Sequence, residues 1–256
     1  MPTALEIFKA LPRTNCGQCG FPTCLAFATA LASGATLPER CPFFEVSRFP
    51  ELASTREPHD QVLAILEHVR AEVARLDLSQ VAPLVGGEMK EGWLCLSYLG
   101  EEVCLGREAV RVSSGLELDP RDQILLYNYL RFARGTPLSH HFVGLEAFPN
   151  SVAKVATLKR YAEDLLAQRF AGAPGVLKKA LRALGARDWP EGQADISAIL
   201  PALPRVPLVI LFWDEDQEEG FSAQVKILFD QVALDYLDLE SLVFLAERAA
   251  ERLTGS

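Results

Sequence analysis

The chain has 256 residues, 49% hydrophobic and 23% charged, with a net charge of −9, an ordinary globular composition. That acidity argues against nonspecific nucleic-acid binding, which depends on neutralising phosphates with Lys and Arg. The longest apolar run, VPLVILFW at 206–213, is far shorter than the ~20 residues of a membrane helix.

Taken in chain order, Thr3 and Glu6 fit a capping box, predicting a helix that ends before Pro12. The opening MPTALEIFKALPR lacks the basic-then-apolar layout of a secretory signal. The expectation is a soluble cytoplasmic protein with no membrane insertion. A Gly-rich turn, CGQCGFPT, leads into a second helix from about Cys24 through LAFATALAS to Gly34, a C-terminal stop. The stretch VSRFPELASTREPHD holds two prolines and mixed charge, and the domain boundary is expected there: residues 1–58, then 59–256. Residues 1–50 carry a net charge of +1 and the remainder −10.

Val62, Ile65, Leu66, Val69, Val73 and Leu76 recur at helical spacing and leave Glu67, Arg70 and Arg75 outside. WLCLSYLGEEVCLG reads as a hairpin turning near Gly100, with Cys95 and Cys104 on facing strands. Further helices are expected at 120–134, 152–170 and 175–184. Residues 151–187 hold eight basic and two acidic side chains, the pattern of solvated basic helix faces or of a surface for an acidic partner. VPLVILFW reads as a buried strand, followed by the acidic run DEDQEE at 214–219 and then AQVKILFD. A closing helix, ESLVFLAERAAERL, is capped by Asp238. Helices and strands mix without a regular βαβ rhythm, so the expected fold class is α+β. A small, mainly helical four-cysteine domain would precede a larger mixed one.

Four of the six cysteines, Cys16, Cys19, Cys24 and Cys41, fall within 26 residues in a C-x2-C-x4-C-x16-C spacing. In a reducing compartment such a group means metal or catalysis more often than disulfides. Structural zinc favours two tight ligand pairs, and Cys24 and Cys41 are too far apart to make the second. An iron–sulfur cluster is bulkier, so three close thiolates can wrap one side while a fourth arrives after a short helix. Gly17 and Gly20 suit a loop that takes unusual dihedrals near the sulfurs. Pro42 reproduces the Cys-Pro ending of bacterial cluster motifs. The cluster is the favoured reading, with zinc and a disulfide pair as the alternatives.

The segment LPRTNCGQCGFPTCLAFATALASG…RCPFF resembles the small [4Fe-4S] domain of the corrinoid iron–sulfur protein large subunit, and that of the Rnf complex B subunit. The likeness implies that Cys16, Cys19, Cys24 and Cys41 ligate one [4Fe-4S] cluster. In the corrinoid family that domain reduces cobalt(II) corrinoid to cobalt(I). Two departures stand beside it: the remaining residues are too few for the corrinoid-binding barrel, and no Rnf-type anchor precedes the motif. DPRDQILLYNYL (119–130) and RVPLVILFWDEDQEEGFSAQVKILFDQVALDYLDLESLVFLAE (205–247) resemble domain-of-unknown-function family 3786, which names no reaction.

In the larger domain, Cys95 and Cys104 are expected to be small buried hydrophobes, a second redox pair being the alternative. His140 and His141 follow a Gly-Thr-Pro turn, where a polar loop is the plain reading and a ligand to cobalt or another metal the sharper one. Asp214, Glu215, Asp216, Glu218 and Glu219 suit a solvated turn, a basic partner or a hard cation. No phosphate-binding loop, dinucleotide fingerprint or nucleophile elbow occurs. Three functions are therefore carried forward. The first is one-electron transfer between a redox partner protein and a further partner or bound cofactor. The second is corrinoid or tetrapyrrole binding, with the cluster reducing the bound metal. The third is a non-enzymatic adaptor with a structural or sensing cluster.

Overall fold

The computed structural model describes residues 2–33, 36, 38–45, 48–49, 52, 58–107, 109–115, 117–216, 218 and 220–255, without the side chains of 39 and 58–60. The chain divides into two compact units, residues 1–61 and 62–256. Its class is α+β, a small helical unit preceding a larger mixed one.

In the first unit, α1 (Ala4–Ala10) starts where the sequence places it. Thr3 Oγ1 accepts from the Glu6 backbone N–H, while the Glu6 carboxylate accepts from the Thr3 N–H at 2.7 Å, satisfying two donors that a helix start leaves unpaired. The second helix, α2 (Cys24–Ala32), is capped by Thr23, whose hydroxyl accepts from the Ala26 N–H at 3.0 Å. It turns off at Ser33; the Gly34 stop lies outside the described residues. Ile7, Leu11, Phe27, Ala28, Leu31, Phe44 and Leu52 form the apolar part of the core. Phe27 meets Phe21 and Phe44 edge to face, with centroids 5.8 and 6.1 Å away, a geometry that aromatic quadrupoles favour.

Helix α3 (Pro58–Val73) leads into the second unit. Leu66, Val69 and Val73 are buried as expected, whereas Ile65 is 51% exposed. Arg70, expected outside, is half-buried and donates to Gln123 Oε1 at 2.6 Å. After α4 (Leu78–Val85) a four-stranded antiparallel meander follows: β1 (Glu88–Lys90), β2 (Trp93–Tyr98), β3 (Glu101–Leu105) and β4 (Val110–Val112), in that spatial order. The β2–β3 turn is two residues, Leu99 (φ 47°) and Gly100 (φ 82°), the doubly left-handed form whose twist matches a hairpin.

Helix α5 (Pro120–Phe132), β5 (Phe142–Gly144) and a long helical stretch come next. That stretch comprises α6 (Val152–Leu158), a π turn (Lys159–Glu163) and α7 (Asp164–Phe170). Then follow α8 (Pro174–Ala183), β6 (Arg187–Asp188), β7 (Ile196–Leu203), β8 (Val206–Trp213), β9 (Gln224–Asp230) and α9 (Leu239–Thr254). The second sheet runs β5-β9-β8-β7-β6, all antiparallel. Seated between β7 and β9, β8 is the buried strand the sequence predicts. The β7–β8 register shifts between Leu200 and Leu203, around Pro201, which has no N–H to give the ladder. Helix α9 starts at Asp238, whose carboxylate accepts from the Ser241 N–H at 2.8 Å, and buries Leu242, Leu245, Ala246, Ala249, Ala250 and Leu253. Each buried leucine there contributes about 1.5–3 kcal/mol relative to exposure.

Candidate functional site

Local backbone chemistry builds the four-cysteine loop. Arg13 (φ 58°) and Asn15 (φ 48°) adopt left-handed conformations just before Cys16, and Gly17 (φ 72°) and Gly20 (φ 82°) do so around Cys19. No protein atom lies within 4 Å of where a Cβ would stand on either glycine; dihedral freedom is what they supply. The Gly20 N–H donates to the Gly17 carbonyl at 2.9 Å, closing a tight turn between Cys16 and Cys19. Asn15 Oδ1 then accepts the Cys24 N–H at 2.8 Å, tying the loop to the first turn of α2.

Cys16, Cys19, Cys24 and Cys41 all line one cavity, with Leu11, Pro12, Phe21, Phe27 and Phe43 among its walls. Cys19, Cys24 and Cys41 are buried members of the core, whereas Cys16 is exposed; none of the four is in a disulfide. The Gln18 backbone amide, with help from the Thr14 hydroxyl, lowers the Cys16 thiol pKa. Burial raises that of Cys41, and the negative charges of Cys19, Cys24 and Cys16 push it further the same way. Thiolates crowded into an apolar hollow repel one another, a cost that bound cationic iron relieves. An all-sulfur donor set in an apolar hollow fits an iron–sulfur group. Among the described residues no group of three or more His, Cys, Asp or Glu side chains is gathered as a metal ion would require.

The larger unit treats its titratable groups differently. Asp122, 1% exposed, accepts from Arg248 Nε and Nη2 at 2.8 and 2.7 Å and from the Tyr98 hydroxyl at 2.7 Å. Burial first, and the Asp122 charge second, push the Tyr98 phenol well above its ordinary pKa. Asp122 and Arg248 line a hollow of about 560 Å³ whose other charged walls include Glu101, Glu117, Asp119 and Arg252. Glu163, at the end of the π turn, is 6% exposed and accepts from the Ile227 N–H at 3.0 Å; burial raises its pKa. Asp230, fully buried, gathers the Ser139, His140 and Val232 N–H groups and the Ser139 hydroxyl.

His140 and His141 are exposed, and their loop is held through Asp230. The acidic run serves its own backbone. Asp214 Oδ1 accepts from the Gly172 and Glu215 N–H groups, Asp216 accepts from the Glu218 N–H, and Asp216 pairs with Phe221. Glu219 lies outside the described residues. The basic segment is partly neutralised, Lys154 by Glu240, Lys159 by Asp164, and Lys178 and Arg182 by Asp188. Cys95 is buried as expected, whereas Cys104 is only half-buried, and the two depart from the expectation of free side chains by forming a disulfide. No described helix is long and apolar enough to cross a membrane.

Comparison with known proteins divides the chain in the same sense. An Fe-S cluster family model matches residues 11–43. Over 41 residues the chain is 61% identical to the corrinoid/iron-sulfur protein large subunit of Moorella thermoacetica, covering 16% of this chain and 9% of that protein. It is 43% identical over 47 residues to the acetyl-CoA decarbonylase/synthase complex subunit gamma of Methanocaldococcus jannaschii, covering 18% and 10%. The subunit gamma of Methanosarcina acetivorans is 26% identical over 249 residues, covering 96% of this chain and 48% of that protein. The chain thus spans 9% to 48% of the length of these curated relatives. No solved structure matches it. The N-terminal segment makes this an iron–sulfur protein, and with residues 77–252 matching the family model of the domain of unknown function DUF3786, the chain belongs to that family.

Proposed function

We propose that Cys16, Cys19, Cys24 and Cys41 hold one [4Fe-4S] cluster and that the chain passes single electrons between a redox partner protein and a further partner or bound cofactor. The observation that carries this reading is the shared cavity, with all four thiols on one apolar hollow and one of them at the surface. When bound, the cluster supplies a one-electron couple. The chain's own groups set its surroundings. Leu11, Phe21 and Phe27 limit water, while the amides of Gln18 and Phe43 donate to the Cys16 and Cys41 sulfurs and stabilise negative charge there. Cys16 offers a partner its nearest approach, because the other three sulfurs lie beneath the surface. Thiols that must stay reduced for ligation agree with a cytoplasmic setting.

The test is a reductive titration of anaerobically purified protein followed by electron paramagnetic resonance. The expected result is about one spin per chain, appearing and disappearing reversibly. A cluster that cannot be cycled, yet whose removal unfolds the N-terminal unit, would favour the adaptor reading. The name of the Moorella relative motivates a second reading, in which residues 59–256 bind a corrinoid whose metal the cluster reduces. Stoichiometric cobalt, or a changed corrinoid spectrum on mixing, would favour it; unchanged cobalamin spectra would remove it.

A further inference from the structure

Successive side chains of a strand point to opposite faces. Leu94, Leu96 and Tyr98 of β2 and Val103 and Leu105 of β3 enter the core, so Trp93, Cys95, Glu102 and Cys104 take the outer face. The register sets Cys95 opposite Cys104, Arg111 of β4 on the far side of Cys104, and Glu88 of β1 on the far side of Cys95. The disulfide, with Cα atoms 4.0 Å apart, lies in an open hollow of about 210 Å³ walled by Lys90, Trp93, Glu102 and Arg111.

We infer that Cys95 and Cys104 form a thiol–disulfide exchange site, a second redox centre of the chain whose reductant is a dithiol. Access favours one sulfur: Cys104 is half-buried, whereas Cys95 is 4% exposed. Arg111 is held over the Trp93 ring, 4.0 Å from its centroid, beside Cys104 in the register, where a cation favours the thiolate. A staple has little to do here. The cysteines are nine residues apart in a hairpin already closed by a two-residue turn and five registered pairs, and the constraint a crosslink adds is small for short loops. The same chain carries four thiols outside disulfides, and where thiols are kept reduced a disulfide is usually a transient, working one.

A thiolate of the dithiol attacks Cys104 Sγ, the Cys95–Cys104 bond breaks, and Cys95 leaves as a thiolate that takes a proton from water. The reductant's second thiolate attacks its own sulfur in the mixed disulfide. It closes the reductant's disulfide and releases Cys104, which is protonated in turn. Two electrons and two protons reach the pair, and the dithiol is oxidised.

The test equilibrates the folded full chain, with its metal content intact, in graded reduced and oxidised dithiothreitol or glutathione. Free thiols are tagged by alkylation, and the Cys95 and Cys104 peptides are quantified by mass. Both should gain the tag together and lose it reversibly while circular dichroism stays native. Arg111→Ala should slow the second step, release of Cys104 from the mixed disulfide, by roughly tenfold, because the cation beside Cys104 favours its departing thiolate. With oxidised glutathione, Cys95→Ser should form a mixed disulfide at Cys104 faster than Cys104→Ser does at Cys95. Tagging that requires denaturant would make the bond a structural staple and overturn the inference. So would two thiols that stay free in excess oxidised glutathione.

Discussion

Cys19, Cys24 and Cys41 are three of the ten buried core residues described in the N-terminal unit, whereas no cysteine belongs to the core described for the larger unit. The larger unit fills its interior with aliphatic and aromatic side chains and keeps its two cysteines on the outer face of a sheet. An apolar core of that kind is stable by burial alone. A unit of about 60 residues is marginal on burial alone, and a metal or crosslink is a common supplement at that size. The difference concerns placement: three of the first unit's four thiols are built into its small core, whereas the second unit's clustered core is assembled without cysteine.

The sharpest way to break this comparison is to remove ligands. Cys19→Ser with Cys24→Ser should abolish iron binding and eliminate the N-terminal unfolding transition in calorimetry, leaving the transition of the larger unit in place. Coincident loss of both transitions would show that the units are not independent. The reciprocal change is Asp122→Ala, which leaves the Tyr98 hydroxyl without its acceptor and the mostly buried Arg248 guanidinium with Glu251 as its remaining carboxylate partner. Urea unfolding should show the larger unit destabilised by about 3–5 kcal/mol, with iron content unchanged. A smaller effect is expected of Asn15→Ala, which removes the bond to the Cys24 N–H and puts alanine at φ 48°. A loss of about 1–3 kcal/mol in the first unit should appear as faster iron release to a chelator.

The smallest effect concerns pH. Burial raises the Glu163 pKa, so the folded chain keeps a proton that the unfolded chain has already released. This contribution to stability is complete below the ordinary glutamate range and is lost as pH rises through the raised value. Glu163→Gln retains an acceptor for the Ile227 N–H and removes that loss. Above the raised pKa the variant should gain about 1.4 kcal/mol for each unit of elevation, read as a flatter dependence of urea midpoint on pH. An unchanged pH profile would contradict the assignment.

Features carried by a few adjacent residues were readable in the sequence. The Thr3–Glu6 capping box, the Asp238 cap, the Leu99–Gly100 turn and the apolar run of β8 each declare themselves within a handful of positions. Spacing likewise groups the four cysteines, and all four line one hollow. Strand β7 was not readable, because Pro201 interrupts a pattern that only a register shift accommodates. Asp122 drew no notice within its helix, because its partner Arg248 lies 126 residues away, beyond any local signal. Glu163 was hidden likewise, because a π turn carries it to the Ile227 amide. Cys95 and Cys104 were placed correctly on facing strands and expected to be buried, which holds for Cys95 and not for Cys104, since the paired cysteines do not reveal which face they occupy. The alternation of Leu94, Leu96 and Tyr98 held that signal.

Iron, acid-labile sulfide, zinc and cobalt determined together on one anaerobically purified sample test the central claim most directly. About four irons and four sulfides per chain, both absent from a variant with Cys16, Cys19, Cys24 and Cys41 all changed to serine, is the predicted result. One zinc per chain with no iron or sulfide would contradict it.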